Sequence, residues 1–96
     1  MGGIYLPVPE VCRFLGIVIS MYAETPGRHH EPHFHAYYGE QAIVISIASG
    51  QLMAGSLPAR QRRALEEWRR ARRAELQENW EQLQAREQFT KIAPLE

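Results

Sequence analysis

The sequence of 96 residues contains no aspartate and a single cysteine, Cys12. One thiol cannot close a disulfide within the chain, so a disulfide-stapled fold is excluded. A zinc site built on several thiolates is excluded as well, and the absence of aspartate removes a common carboxylate ligand of hard metal ions. A reducing compartment suits this composition, and we therefore expect a cytoplasmic protein.

Long apolar runs are also missing. No stretch approaches the ~18 consecutive apolar residues of a membrane span, so we expect no membrane association. The hydrophobic share of 45% and the charged share of 23% are those of a globular chain rather than a disordered one. We find no internal repeat and no low-complexity segment, and we expect a single domain over residues 1–96.

Alternating apolar and polar residues predict a sheet over residues 13–57, after a loose N-terminal segment at 1–12 that contains two prolines. The predicted strands cover residues 14–22, 33–38, 41–47 and 51–56. Gly39-Glu40 fits a two-residue type II′ turn, which would pair Tyr38 with Gln41. In that register the apolar face carries Phe34, Ala36, Ile43, Ile45 and Ile47, and the mixed face carries His33, His35, Tyr37, Val44 and Ser46.

The periodicity changes after Pro58, a residue favoured at the first position of a helix. One apolar stripe at helical spacing predicts an amphipathic helix over 58–86, followed by a tail at 87–96. The stripe consists of Leu65, Trp68, Leu76, Trp80 and Leu83. Arg72 interrupts it, so a bend or break near 71–75 is the alternative to one long helix. The predicted fold is α+β, an antiparallel meander of three to four strands covered on one face by this helix.

All four histidines lie between His29 and His35, and His33 and His35 share one face of a predicted strand. Three interpretations remain open. His30, His33 and His35 suit a divalent metal such as zinc. His33 and His35, with Tyr37 beside them, suit acid–base cleavage of RNA. The third interpretation is that these side chains make structural hydrogen bonds. The sequence leaves open whether the protein is an enzyme.

The arginines are concentrated in the predicted helix. Residues 58–74 contain seven arginines and two glutamates, a net charge of +5, whereas residues 1–57 carry −2 and residues 75–96 carry −3. At helical spacing, a basic face is formed by Arg62, Arg63, Arg69, Arg70 and Arg73. Such a face binds partner carboxylates or an RNA backbone, or is simply solvated and paired with glutamates. The overall neutral charge argues against a dedicated nucleic-acid binder.

Four motifs occur in order along the chain: Arg-Phe-Leu-Gly-Ile-Val-Ile at 13–19, Pro-His-Phe-His at 32–35, Glu-Asn-Trp at 78–80 and Lys-Ile-Ala-Pro-Leu at 91–95. Together they resemble a family of small bacterial proteins designated domain of unknown function 4160. His30-Glu31 before Pro32, and the many helix arginines, depart from the family pattern. The resemblance implies an intracellular bacterial binding protein, one half of a toxin–antitoxin-like two-gene module, whose partner is a small protein encoded alongside it or an RNA. A homodimer formed through the mixed sheet face is a further alternative.

Overall fold

The computed structural model describes residues 9–24 and 31–95. Five antiparallel strands form one sheet in the order β1-β2-β3-β4-β5, and two helices follow. The elements are β1 (Glu10–Phe14), β2 (Ile17–Ser20), β3 (His33–Tyr38), β4 (Gln41–Ser46), β5 (Leu52–Gly55), α1 (Ala59–Ala71) and α2 (Arg73–Gln84). The α+β meander is confirmed, but the predicted count of three to four strands is wrong.

The missing strand lies at the start of the sheet. The strand predicted at 14–22 begins at the last residue of β1 and contains all of β2. Between the two strands, Leu15 and Gly16 form a turn with φ of 51° and 76°. Two consecutive positive φ angles fit a type I′ turn, but leucine is unusual there, so this turn was not predicted. Of the segment predicted to be loose, residues 1–8 lie outside the described residues, and Glu10–Cys12 belong to β1.

The hairpin of β3 and β4 follows the prediction. Tyr38 pairs with Gln41 and Phe34 with Ile45. Gly39 has a φ of 59°, as a type II′ turn requires at its first central residue. The predicted apolar face is buried, and the ring centroid of Phe34 lies 5.8 Å from that of Trp68 on α1. The two faces of the sheet therefore have the parity that the sequence predicts.

The single helix predicted over 58–86 is two helices, divided at Arg72, where φ is −114° and ψ is 18°. The predicted break near 71–75 is thus confirmed, and the continuous helix is not. Every residue of the predicted apolar stripe is buried. At the break, the Arg72 guanidinium lies 3.7 Å from the Glu75 carboxylate and donates to the Pro94 carbonyl at 3.2 Å.

The segment that follows α2 returns to the sheet and covers the outer edge of β1. The Ile92 amide donates to the Val11 carbonyl at 2.8 Å, and the Trp68 indole N–H donates to the Ala93 carbonyl at 2.9 Å. Asn79, buried within α2, donates to the Thr90 carbonyl and accepts from its amide. These contacts hold residues 90–94, part of the predicted tail at 87–96, against the first strand.

Candidate functional site

The sheet face opposite α1 carries imidazole, phenol and hydroxyl groups in adjacent rows. His33 of β3 pairs with Ser46 of β4, and His35 pairs with Ser20 of β2. Because alternate residues of a strand share one face, Tyr37 completes the row on β3. His33, His35 and Tyr37 are therefore brought together as predicted.

His33 is largely enclosed in this arrangement. Its ring is 8% exposed and lies 5.0 Å, centroid to centroid, from Trp80 of α2. Its Nδ1 lies 2.9 Å from the Glu31 carbonyl, and because a carbonyl only accepts, Nδ1 carries the proton. Gln84 holds the end of α2 in place by bonding to Tyr22 and Glu24, at the end of the sheet where His33 begins β3. His33 therefore packs against Trp80. This contact was not predictable, because no pattern in the sequence links the two residues.

His35 lies in the middle of the face and is half-buried. Its ring meets the edge of Tyr22 at 4.8 Å and lies 5.4 Å from His33. Burial lowers the pKa of His35, the neighbouring His33 lowers it further, and Glu24 acts weakly in the opposite direction. His35 is therefore neutral at pH 7, as a hydrogen-bond acceptor, a general base or a metal ligand must be.

Two phenols and a serine hydroxyl surround His35. The Tyr22 and Tyr37 hydroxyls lie 2.9 Å apart, and burial together with this hydrogen bond raises the pKa of Tyr37 to about 12. The Tyr37 phenol is therefore protonated at neutral pH. The Ser20 hydroxyl is fully buried and has no hydrogen-bond partner among the described residues.

The predicted metal set can be placed only in part. His30 lies outside the described residues, and the rings of His33 and His35 are 5.4 Å apart. Within residues 9–24 and 31–95, no group of three histidine, cysteine or carboxylate side chains is arranged to hold a metal ion. A zinc site in this protein would depend on the His29–His30 segment, and it stays a prediction.

The predicted basic face of the helix divides into a structural part and an accessible part. Arg69 is buried: its Nη1 donates to the Ile47 carbonyl at 2.9 Å, while Nε and Nη2 bind Glu66 at 2.9 and 2.6 Å. Hydrogen bonds from Arg69, more than those from Arg70, hold the pKa of Glu66 below its usual value. Arg69 therefore anchors α1 to the turn between β4 and β5.

Gly50 makes this anchor sterically feasible. A Cβ on Gly50 would lie 2.7 Å from Nε of Arg69, and the φ of 77° disfavours any L side chain there. Sequence periodicity placed Arg69 on the exposed face because its acceptors, the carbonyls of Ile47 and Ala48, are distant in sequence. In the sequence, only Gly50 indicated that a large side chain could pack against this turn.

Three of the four remaining arginines line two neighbouring depressions. Arg63, Arg70 and Arg73 are exposed, and Arg62 is half-buried. A groove of about 620 Å³ lies where the break between the helices meets the β4–β5 turn. Its lining consists of Ala48, Arg70, Ala71, Arg73, Ala74 and Gln77. A smaller depression of about 280 Å³, which shares Arg70, is lined by Arg63, Glu66, Glu67 and Arg70.

The groove lined by Arg70 and Arg73 has an alanine floor and converging polar groups at its rim. Two guanidinium groups and the Gln77 amide can meet an anionic group there, while the three alanines can take an apolar neighbour. Sequence analysis found Arg70 and Arg73 but not Ala48 or Gln77, because only the helix break and the turn bring them together.

The fold and these surfaces define a small α+β protein in which a broken helix covers a meander and presents a basic groove. The chain belongs to the family described as domain of unknown function (DUF4160), which matches residues 16–81, and the predicted resemblance is confirmed. No curated protein and no solved structure matches the chain. In the described part of the chain, neither helix has the length and apolar character needed to cross a bilayer.

Proposed function

We propose that this protein is the binding half of a toxin–antitoxin-like two-gene pair, and that it captures an acidic segment of the small protein encoded alongside it. The observation that carries the proposal is the groove between the helix break and the β4–β5 turn, with Arg70 and Arg73 at its rim. Guanidinium groups bind carboxylates by paired, charge-assisted hydrogen bonds, which are about twice as strong as neutral ones.

Arg70 is available to such a ligand. Its side chain is 77% exposed, and it shares the Glu66 carboxylate with the buried Arg69. An exposed ion pair contributes ~0.2–1 kcal/mol, so exchanging Glu66 for a partner carboxylate costs Arg70 little. Arg69 keeps Glu66 in place and supplies no free charge of its own. Arg73 is exposed and lines the same groove.

A protein ligand suits this surface better than RNA does. Glu66 and Glu67 line the depression next to the groove, and these carboxylates would repel a continuous phosphate backbone. Both tryptophans are buried, so they offer no base-stacking platform. Alternating charges and a small apolar floor match a folded or extended polypeptide that carries acidic side chains.

Binding by calorimetry to the co-expressed neighbouring gene product tests this proposal. The double variant Arg70→Ala/Arg73→Ala should weaken the complex about tenfold or more, because hydrogen bonds to charged groups are worth ~1.5–3 kcal/mol each. Arg13→Ala is the matched control, since Arg13 is an exposed arginine on β1 that is paired with Glu10. Equal affinity for the double variant and the control, or saturable binding of RNA in place of the protein, would contradict the proposal.

A second candidate rests on His35. A neutral imidazole beside the phenols of Tyr22 and Tyr37 suits a general base for RNA cleavage, or a ligand to a zinc-type ion with His30 and His33. The enclosure of His33 argues against a free acid–base pair, so this candidate ranks second. Loss of ribonuclease activity in His35→Ala, or stoichiometric metal in protein purified without an affinity tag, would favour it over partner binding.

A further inference from the structure

The outer edge of β5 is the least protected part of the sheet. All four residues of β5 are exposed, including Leu52 at 50% and Met53 at 40%. Leu52 pairs with the buried Ile45, so its side chain lies on the same face of the sheet as the isoleucines of the core. Unlike them, it is open to solvent. Among the described residues, no segment pairs with this edge.

The edge also lacks the side chains that usually discourage strand pairing. No residue from Ile47 to Ala59 is charged, although edge strands are commonly guarded by lysine or other charges. The features that discourage pairing here are the shortness of β5, its irregular pairing with β4 and the positive φ of 78° at Gly55. An open backbone with two exposed apolar side chains is the arrangement used to accept an added strand.

We infer that an extended segment of the partner pairs antiparallel with β5 as a sixth strand, and that acidic residues following that strand enter the groove at Arg70 and Arg73. This inference rests on the proposed function and specifies how the partner binds. The added strand is antiparallel because every pair in the sheet is antiparallel.

The groove lies beside the turn at which β5 begins. Ala48 of that turn lines the groove, and β5 runs from Leu52 near the turn to Gly55 away from it. A strand antiparallel to β5 therefore runs toward the turn, and the residues after it arrive at the groove. The expected ligand is a short apolar strand followed by glutamate or aspartate.

A second copy of this chain does not suit the edge equally well. Helix α1 runs back from Pro58 at the far end of β5 to Arg69 at the turn. A two-fold pairing of β5 with β5 would place the start of each α1, which carries Arg60 and Arg63, opposite the helix break of the other copy. That break carries Arg70 near the end of α1 and Arg73 at the start of α2. Like charges would then oppose the dimer, whereas an acidic partner gains from the same arginines.

Backbone methylation of the ligand tests strand addition without altering this protein. The probes are overlapping peptides of the neighbouring gene product, each methylated at one backbone nitrogen. Because amides along a strand alternate in direction, affinity should fall about tenfold at every second position and stay unchanged between. In parallel, nuclear magnetic resonance should detect slower exchange at the β5 amides that point away from β4, and only when the peptide is present.

The outcomes separate this inference from the proposed function. Suppose that Arg70→Ala/Arg73→Ala weakens binding, but methylation shows no alternation along the peptide and β5 gains no protection. That result would overturn strand addition and leave the groove as the binding site. If neither the double arginine variant nor peptide methylation changes the affinity, both the strand addition and the proposed function are overturned. On the protein side, Leu52→Lys should weaken peptide binding, whereas Leu15→Lys should not, since Leu15 is 48% exposed at the distant β1–β2 turn. Dimerisation through β5 without a partner would also contradict the inference.

Discussion

The two edges of the sheet are treated very differently by the same chain. At β1, residues 90–94 lie along the strand, held by Trp68, Arg72 and Asn79. At β5, the comparable anchor among residues 9–24 and 31–95 is Arg69, which fixes the turn before the strand and leaves Leu52–Gly55 exposed. One edge is completed within the chain. The other is left unpaired by the described part of the chain, and we interpret it as the place where a different chain binds.

We expect the largest effect from a substitution that disrupts the covered edge of the sheet, where residues 90–94 lie along β1. Trp68→Ala removes a fully buried indole that packs on Phe14 and Phe34 and bonds to Ala93. We expect a loss of about 3–5 kcal/mol in the free energy of unfolding, measured by urea denaturation. Trp68→Phe, which keeps an aromatic ring but deletes the N–H donor, should lose less. Equal losses for the two variants would show that packing contributes little here.

The anchor beside the open edge should rank next. Arg69→Met leaves the Ile47 carbonyl without its donor and Glu66 without its closest cation. Breaking a buried pair costs about 3–5 kcal/mol, and the partial exposure of Glu66 reduces our expectation to about 2–3 kcal/mol. Arg70→Met is the control, since it shares Glu66 but is exposed, and it should change the unfolding free energy by less than ~0.5 kcal/mol.

Asn79→Ala tests how far the covering of β1 by residues 90–94 is independent of the rest of the core. The substitution removes both hydrogen bonds to Thr90, and we expect a loss of about 2 kcal/mol. The Ile92 amide, which bonds to β1, should exchange faster, while amides in β3 and β4 should change less. Glu78→Ala, at an exposed position of the same helix, serves as the control. Unchanged exchange at Ile92 would mean that Asn79 does not hold the segment.

A fall in pH acts on His35, which lies on the middle strand of the sheet. It should therefore lower the stability of both edges of the sheet to the same extent. Because the pKa of His35 is lowered by folding, the unfolded chain binds its proton at a higher pH than the folded chain. Stability is therefore complete above pH ~6.5 and declines as the pH falls below that value. The variant His35→Gln should show a smaller decline in a pH series of thermal unfolding. An identical profile would assign the pH dependence to another group.

The smallest effect is expected at the open edge itself. Leu52→Lys exchanges a half-exposed side chain on β5, and the unfolding free energy should change by less than ~0.5 kcal/mol. Leu15→Lys at the β1–β2 turn gives a matched reference. A large loss for Leu52→Lys alone would mean that β5 contributes to the core more than its exposure indicates, and the contrast between the edges would disappear.

The central part of the fold was accessible from sequence because local rules agree there. Gly39 determines the turn, the turn determines the register, and the alternation from Phe34 onward determines which face is buried. The break at Arg72 was also signalled, since a charged residue interrupts an otherwise apolar stripe. In each case the controlling interaction is short-range or periodic.

The rest depended on contacts between residues far apart in sequence. Leu15 adopts a conformation that leucine rarely takes, so the β1–β2 turn was missed. Arg69 is buried because two distant carbonyls accept from it above Gly50. Trp80 encloses His33 because α2 is redirected by the break at Arg72. No periodicity in the sequence reports such contacts, and they decide which predicted site residues are accessible.

The hydrogen bond between Ile92 and Val11 has a consequence for how the protein is made. On the ribosome, β1 emerges early, but the segment that covers it emerges only after both helices have been translated. Until then the outer edge of β1 lacks the segment that covers it, and unpaired edges invite pairing with other chains. Chaperone contact with the growing polypeptide should therefore cease only once residues beyond Ile92 have left the exit tunnel.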